Sequence, residues 1–248
     1  MENYIISNTY TLPSLGKVYK TEVKPTFTVR SMTTEEEMRR LNPSDRTYKV
    51  MADIIDACMV ESPGISAYDM CLGDYQFCLH KVRVVTYGSN YKLSTTCPYC
   101  GATNSGEVNL EEMQVSTYSE DLNKYFEFDL PRTGRHITLK MQTPRILDNI
   151  SIQAKELKKK TSGSDPAFLF TATSLIDTVD GEKPDPLLLE DFVRKLPMMD
   201  TNLIMENAKK INEGIGLNTT LDNTCDVCGL DYASTFRTTP EFFRPTID

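Results

Sequence analysis

The chain has only two histidines in 248 residues, and no phosphate loop, Gly-x-Gly-x-x-Gly fingerprint or Gly-x-Ser-x-Gly elbow occurs in it. Those motifs cradle phosphate on backbone amides or lift a nucleophile onto a sharp turn, so the commonest catalytic scaffolds are unsupported. His80 and His136 stand apart from any nucleophile or metal pattern and are expected to be structural. Carboxylates are plentiful, but nothing in the sequence singles out a pair for acid–base work. The expectation is a protein that is not an enzyme. Also missing are a low-complexity tract and any run near the roughly 20 apolar residues that span a bilayer. The opening Met1–Asn8 lacks the basic start and apolar stretch of a signal peptide. These absences predict a compact chain that stays in the cytoplasm where it is made.

Positive charge is in deficit, with 27 Lys and Arg against 35 Asp and Glu and a formal net charge of -8. Nucleic acids and anionic membranes are polyanions, so such a chain is not drawn to them and protein partners are expected instead. The one basic run, Lys158-Lys159-Lys160 after Lys155, reads as a solvated helix end, where cations suit the C-terminal dipole.

Seven cysteines are present, an odd number, and in a reducing compartment thiols stay free or bind metal. Cys58, Cys71 and Cys78 fall on apolar helical stripes and are expected in the core. The other four form two pairs, Cys97-Pro98-Tyr99-Cys100 and Cys225-Asp226-Val227-Cys228, each followed by Gly. That tight turn lets two sulfurs face one ion, and four thiolates close a tetrahedron with no position left for water. Cys97, Cys100, Cys225 and Cys228 are therefore expected to hold one structural Zn2+ per chain, without catalysis. The stretch from Gly101 to Thr224 is long for a zinc ribbon. A thioredoxin-like redox pair is the rival reading, but it accounts for one pair at a time and neither pair opens a helix after a clear strand.

The order of elements reads as one plan written twice. Leu12-Pro13-Ser14-Leu15-Gly16 marks a turn that leads to the β-favouring Thr26–Arg30, completing a hairpin. A helix then starts at Thr33 or Thr34, with acidic residues three positions on. Spacings of three and four predict helices carrying Tyr48, Met51, Ile55, Cys58 and Met59, and then Cys71, Tyr75, Cys78, Val82 and Val85. The first Cys pair closes this half. Leu130-Pro131 with Gly134 repeats the turn, Ile137–Met141 the strand, and Thr143-Pro144 a capped helix start. Three further stripes follow, Ile146/Ile150/Ala154/Leu157, Leu169/Ala172/Ile176 and Ile204/Ala208/Ile211/Ile215, before the second Cys pair. The expected fold is α+β, two similar halves of hairpin plus helices plus zinc knuckle from an internal duplication, joined by a shared four-cysteine site. Its expected limits are a first half 1–101, a connecting segment 102–129, a second half 130–229 and a tail 230–248. Chance is the competing explanation, since Leu-Pro turns and amphipathic helices are common.

The ordered set of Leu12-Pro13-Ser14 with Gly16 and Tyr19, Met32-Thr33 with Glu35–Glu37, Gly73-Asp74, Tyr87-Gly88, Cys97–Gly101 and Phe242-Phe243-Arg244-Pro245 resembles the T4-type bacteriophage baseplate hub and hub-assembly proteins. The likeness runs from about residue 10 to the C-terminus. It implies a non-enzymatic role in building or forming the central tail baseplate through protein contacts. The implied partners are the tape measure, the tail-tube initiator or hub subunits, in the host cytoplasm during assembly or in the virion tail. The family holds both hub subunits and assembly factors, and both remain open. A nucleic-acid-binding zinc-ribbon protein is the alternative, but Asp222, Asp226 and Asp231 beside the second pair argue against it. Near the C-terminus, Phe242, Phe243 and Arg244 are either an interface anchor or a flap folded onto the core.

Overall fold

The computed structural model describes residues 6–158, 166–236 and 240–243. Strand β1 (Ser7–Thr11) pairs antiparallel with β2 (Thr26–Arg30), and the long connection between them carries the Leu-Pro turn. Helix α1 (Thr34–Arg40) follows, its start fixed by Glu36, which accepts from the Thr33 N–H at 2.7 Å. Helix α2 (Thr47–Cys58) runs directly into β3 (Met59–Glu61), which pairs with β2 across a register shift between Thr28 and Val29. Helix α3 (Leu72–Tyr87) is buried almost throughout, and Gly88 ends it at φ 85. Strands β4 (Asn90–Thr96) and β5 (Thr103–Asn109) then form a hairpin with the first Cys pair at its tip.

After β6 (Val115–Ser116) and α4 (Asn123–Phe126), the chain enters a second sheet. Strand β7 (Glu127–Asp129) pairs antiparallel with β8 (His136–Leu139) across the Leu130-Pro131 turn. Helices α5 (Pro144–Lys158) and α6 (Pro166–Leu175) lead into β9 (Ile176–Val179), which pairs with β8 across a register shift between Thr138 and Leu139. Helices α7 (Pro186–Lys195) and α8 (Met198–Glu213) follow. Strand β10 (Gly216–Leu217) pairs with β6, and β11 (Thr220–Thr224) with β12 (Asp231–Thr235) makes the hairpin that carries the second Cys pair.

The two three-stranded sheets are built alike. In each, an antiparallel pair joined by a Leu-Pro turn is followed by two helices, the second helix returns as the third strand, and that strand pairs across one register irregularity. Both turns are held the same way, by a buried aspartate in the first turn of a later helix. Asp74 of α3 accepts the Ser14 N–H at 2.9 Å and also the Ser14 hydroxyl. Asp200 of α8 accepts the Arg132 N–H at 2.9 Å, the Thr133 N–H at 3.0 Å and the Thr133 hydroxyl at 2.9 Å. Glycine follows each at positive φ, 73 for Gly16 and 65 for Gly134. A carboxylate at a helix N-terminus is favoured by the dipole, and in a dry site it needs the donors these turns supply.

Two apolar clusters result. One gathers Phe27, Val29, Ile54, Ile55, Tyr75 and Val82 around α3, and the other gathers Ile137, Leu139, Ile176, Ile204 and Ile211 around α8. Cys58, Cys71 and Cys78 are fully buried, and burial pushes their thiols up, so they are inert core residues. The helical stripe expected to include Ile176 breaks at Leu175. Ile176, Thr178 and Val179 are β-branched, and they leave the helix to pair with β8. Of the expected basic helix end, Lys158 closes α5 and Lys159 and Lys160 lie outside the described residues. No helix among the described residues is long and apolar enough to cross a membrane.

Candidate metal centre

Each Cys pair sits in the turn of its hairpin, and the two turns have the same hydrogen bonds. Gly101 N–H donates to the Cys97 carbonyl at 3.0 Å and Cys97 N–H to Ala102 at 2.9 Å; Gly229 N–H donates to Cys225 at 2.9 Å and Cys225 N–H to Leu230 at 3.0 Å. Gly101 at φ 74 and Gly229 at φ 70 occupy the left-handed region. A Cβ added at either meets no atom within 4 Å, so it is backbone conformation and not crowding that selects glycine there.

The hairpins are bolted together beside the cysteines. The Tyr232 hydroxyl lies 2.7 Å from the Thr95 hydroxyl and accepts from Asn104 Nδ2 at 3.0 Å. Asn104 Oδ1 in turn accepts the Asp226 N–H at 2.9 Å. The result is that the sulfurs of Cys97, Cys100, Cys225 and Cys228 all lie within 4.8 Å of one another. Across the hairpins, Cys97 is 3.7 Å from Cys228 and Cys100 is 3.6 Å from Cys225. A tetrahedron with metal–sulfur bonds of about 2.3 Å has edges of about 3.8 Å, whereas a disulfide is about 2.05 Å, so the spacing fits ligation and not oxidation.

Electrostatics agree. The N–H groups of Cys228 and Val227 point at the Cys225 sulfur and pull its thiol down to about 6. At Cys228 the Leu230 N–H lowers the thiol, but desolvation and the neighbouring sulfurs outweigh it and push it up to about 12. Four sulfurs this close cannot all carry charge unless a cation sits among them. Cys97 and Cys225 are buried while Cys100 and Cys228 reach the surface, so an ion has a route in.

Other expected site residues fall elsewhere. Phe242 and Phe243 are 0% and 1% exposed, in a 3-10 turn packed on α3 and β4. Phe242 stacks against His80, Tyr91 and Phe236 at ring distances of 4.8, 5.4 and 5.5 Å, and its carbonyl accepts from Arg83 Nε at 3.0 Å. The pair fills the protein's own core, which corrects the surface-anchor reading of these two side chains; Arg244 lies outside the described residues. His80 is buried, and desolvation drops it to about 3, so it is neutral. His136 lies between Asp129 at 2.8 Å and Glu127 at 2.9 Å. Thr95, Asn104 and Tyr232, which register the two hairpins, were not singled out by sequence, because single polar residues in Thr- and Asn-rich strands carry no spacing signal.

Among the described residues the architecture is thus α+β, with two three-stranded and three two-stranded antiparallel sheets and a cluster of four thiols where two distant hairpins meet. The family model described as T4 bacteriophage base plate protein matches residues 4–244, and the chain belongs to that family. No curated protein and no solved structure matches this chain.

Proposed function

We propose that this baseplate protein is a subunit or assembly factor of the central hub, performs no chemistry, and is held in shape by one structural zinc ion. The observation that carries the reading is the convergence of four thiols from turns more than a hundred residues apart onto one point with ligand spacing. A closed four-thiolate shell offers no open coordination site, which suits a structural ion. The acidic flank of Asp222, Asp226 and Asp231 disfavours a phosphate-tracking knuckle, so protein contacts with tape-measure, tube-initiating or hub proteins are the better match. Such a protein would work in the host cytoplasm as the tail is built, and in the tail itself if retained.

Internal duplication is the companion proposal. Its support is the shared order of turn, strand, two helices and return strand, the matched aspartates Asp74 and Asp200, and the identical knuckle hydrogen bonds. On this reading the halves 1–101 and 130–229 flank a connector at 102–129, and the second strand of each cysteine hairpin, β5 and β12, lies just past the end of its half.

The test is metal analysis with a point variant. Protein purified without chelator is expected to contain one zinc per chain, and Cys225→Ser to lose it and to melt at clearly lower temperature. Structural zinc supplies roughly 10 kcal/mol or more of binding free energy in small modules, so the loss is large enough to measure. Metal-free wild type of full stability would overturn the zinc. Absence of the chain from every tail intermediate of infected cells would overturn the hub role.

A further inference from the structure

The cysteine turns form a free end of the molecule. The bases of the two hairpins are anchored in the first apolar cluster through Tyr91, Val108 and Leu221, and β4 then carries its turn about 20 Å beyond Tyr91. Cysteine and glycine fix the shape of each turn, together with its two backbone hydrogen bonds. The positions between and after the cysteines face water, where polar residues suffice. Three of them are instead large and apolar: Tyr99 is 63% exposed, Val227 73% and Leu230 50%. Among the described residues no hydrogen bond or ring contact holds the Tyr99 side chain.

These three side chains share one small surface. Tyr99 adjoins Cys100, Val227 adjoins Cys228, and the Leu230 carbonyl accepts from the Cys225 N–H at 3.0 Å. Because the four sulfurs lie within 4.8 Å of one another, chain steps of about 3.8 Å keep the three Cα atoms within about 20 Å. Isolated exposed apolar residues are ordinary, but a group of them rimmed by polar residues marks a protein contact. A standard interface covers about 800 Å2 on each partner, so a group of this width fills the centre of one.

The rim carries charge of one sign. Leu93–Gly106 contains no charged residue, and between Thr219 and Phe236 the only charged ones are Asp222, Asp226 and Asp231. All three are exposed, and among the described residues none is in an ion pair. Asp231 accepts the Thr224 hydroxyl at 2.7 Å, while the carboxylates of Asp222 and Asp226 have no hydrogen-bond partner among the described residues. Nucleic acid is repelled by such a rim, and a second copy docking tip to tip would set carboxylate against carboxylate. The field fits a protein surface that carries Lys or Arg around an apolar recess.

We infer that the paired cysteine turns are a docking tip. Tyr99, Val227 and Leu230 enter an apolar recess on another tail protein, and Lys or Arg at the edge of that recess meets Asp222, Asp226 and Asp231. The proposal rests on the reading of this chain as one that acts through protein contacts, and it needs the geometry of the turns but no particular ion. The test replaces Tyr99 with photo-crosslinking benzoylphenylalanine, one aromatic for another, in a chain supplied to infected cells, and maps the cross-links by mass spectrometry. The expected product joins position 99 to one other tail protein, at a site where Lys or Arg flanks apolar residues. That protein, once purified, should bind the wild-type chain several-fold more weakly as ionic strength rises. Val227→Ser and Asp222→Lys should each weaken binding at least about tenfold, with melting temperature and metal content unchanged. Asp222 lies three residues from the nearest cysteine, so its variant keeps the turn even where Val227→Ser disturbs it. Cross-links scattered over many proteins, confined to this chain or joining two copies of it overturn the proposal, as does binding indifferent to salt and to Asp222→Lys. A chain that travels with tail intermediates but gives no cross-link from position 99 overturns the docking tip alone and leaves the hub reading standing.

Discussion

Asp74 and Asp200 are both fully buried, and each carries a Leu-Pro turn on its carboxylate. Tyr19 adds a third donor to Asp74 at 2.6 Å, and burial beside that carboxylate pushes the Tyr19 phenol far up, so it stays a donor at every accessible pH. Replacing one carboxylate oxygen with an amide turns an acceptor into a donor facing donors. Asp200→Asn should therefore cost about 2–3 kcal/mol, measurable by denaturant titration, and a loss below about 0.5 kcal/mol would show the turn to be held by something else. Nothing in the sequence marks these residues as a pair. A lone aspartate at a helix start reads as an ordinary cap, and only the fold shows which turn it reaches. His136 makes a smaller, pH-dependent contribution. Asp129 first, then Glu127, raises its pKa above the ordinary value near 6.5. Stabilisation from a raised histidine is fully present below about 6.5 and is lost as pH rises through the folded value. Melting temperature should thus fall over that window in the wild type, and His136→Gln should flatten this part of the profile; identical profiles would remove His136 from the account.

The elements differ in how plainly they could be read. The apolar-striped helix α2 and the β-branched strand β8 stand out, because burial of one face imposes a period on the sequence. The hairpins around the cysteines do not. Asn90–Thr96 and Thr103–Asn109 are rich in Thr, Ser and Asn, and they owe their place to pairing and to the cysteine turn more than to an apolar face. Helix α7 likewise passes unmarked, although Asp185 caps it at 2.9 Å and Pro186 opens it, since its stripe is short. The seam between α3 and the end of α8 was also invisible, because a close backbone approach leaves only glycines behind. A Cβ on Gly73 would meet the Ile215 carbonyl oxygen at 2.1 Å, and one on Gly216 would meet Gly73 itself at 2.8 Å. Neither neighbour is a side chain that can swing away. Gly73→Ala should destabilise by about 3 kcal/mol, at the upper end of overpacking costs, and should loosen the contact between the two apolar clusters. Unchanged stability would mean that the seam relaxes without penalty.

At the scale of the whole molecule, the two clusters are built from different stretches of chain and touch along α3 and α8, while the hairpins meet again at the cysteines. The four-thiol site was legible because cysteine spacing survives any insertion between the pairs. An isolated two-stranded hairpin is marginal in water, so each must borrow stability from its neighbours. The base of the stack borrows from the core through Tyr91, Val108 and Phe236, and the tip has only the Tyr232 network and the four clustered thiols. Removing the proposed ion should therefore produce a gradient and not a collapse. In hydrogen exchange after chelation, amides of Thr95, Thr96, Asn104 and Thr224 are expected to lose protection by at least about tenfold, while Tyr91, Val108 and the strands β2 and β8 keep theirs. Loss spread evenly over both clusters would instead mean that the ion holds the whole fold as one cooperative unit. Unchanged protection at the tips would mean that the polar bolt of Thr95, Asn104 and Tyr232 suffices without metal, leaving the four thiols with no structural task.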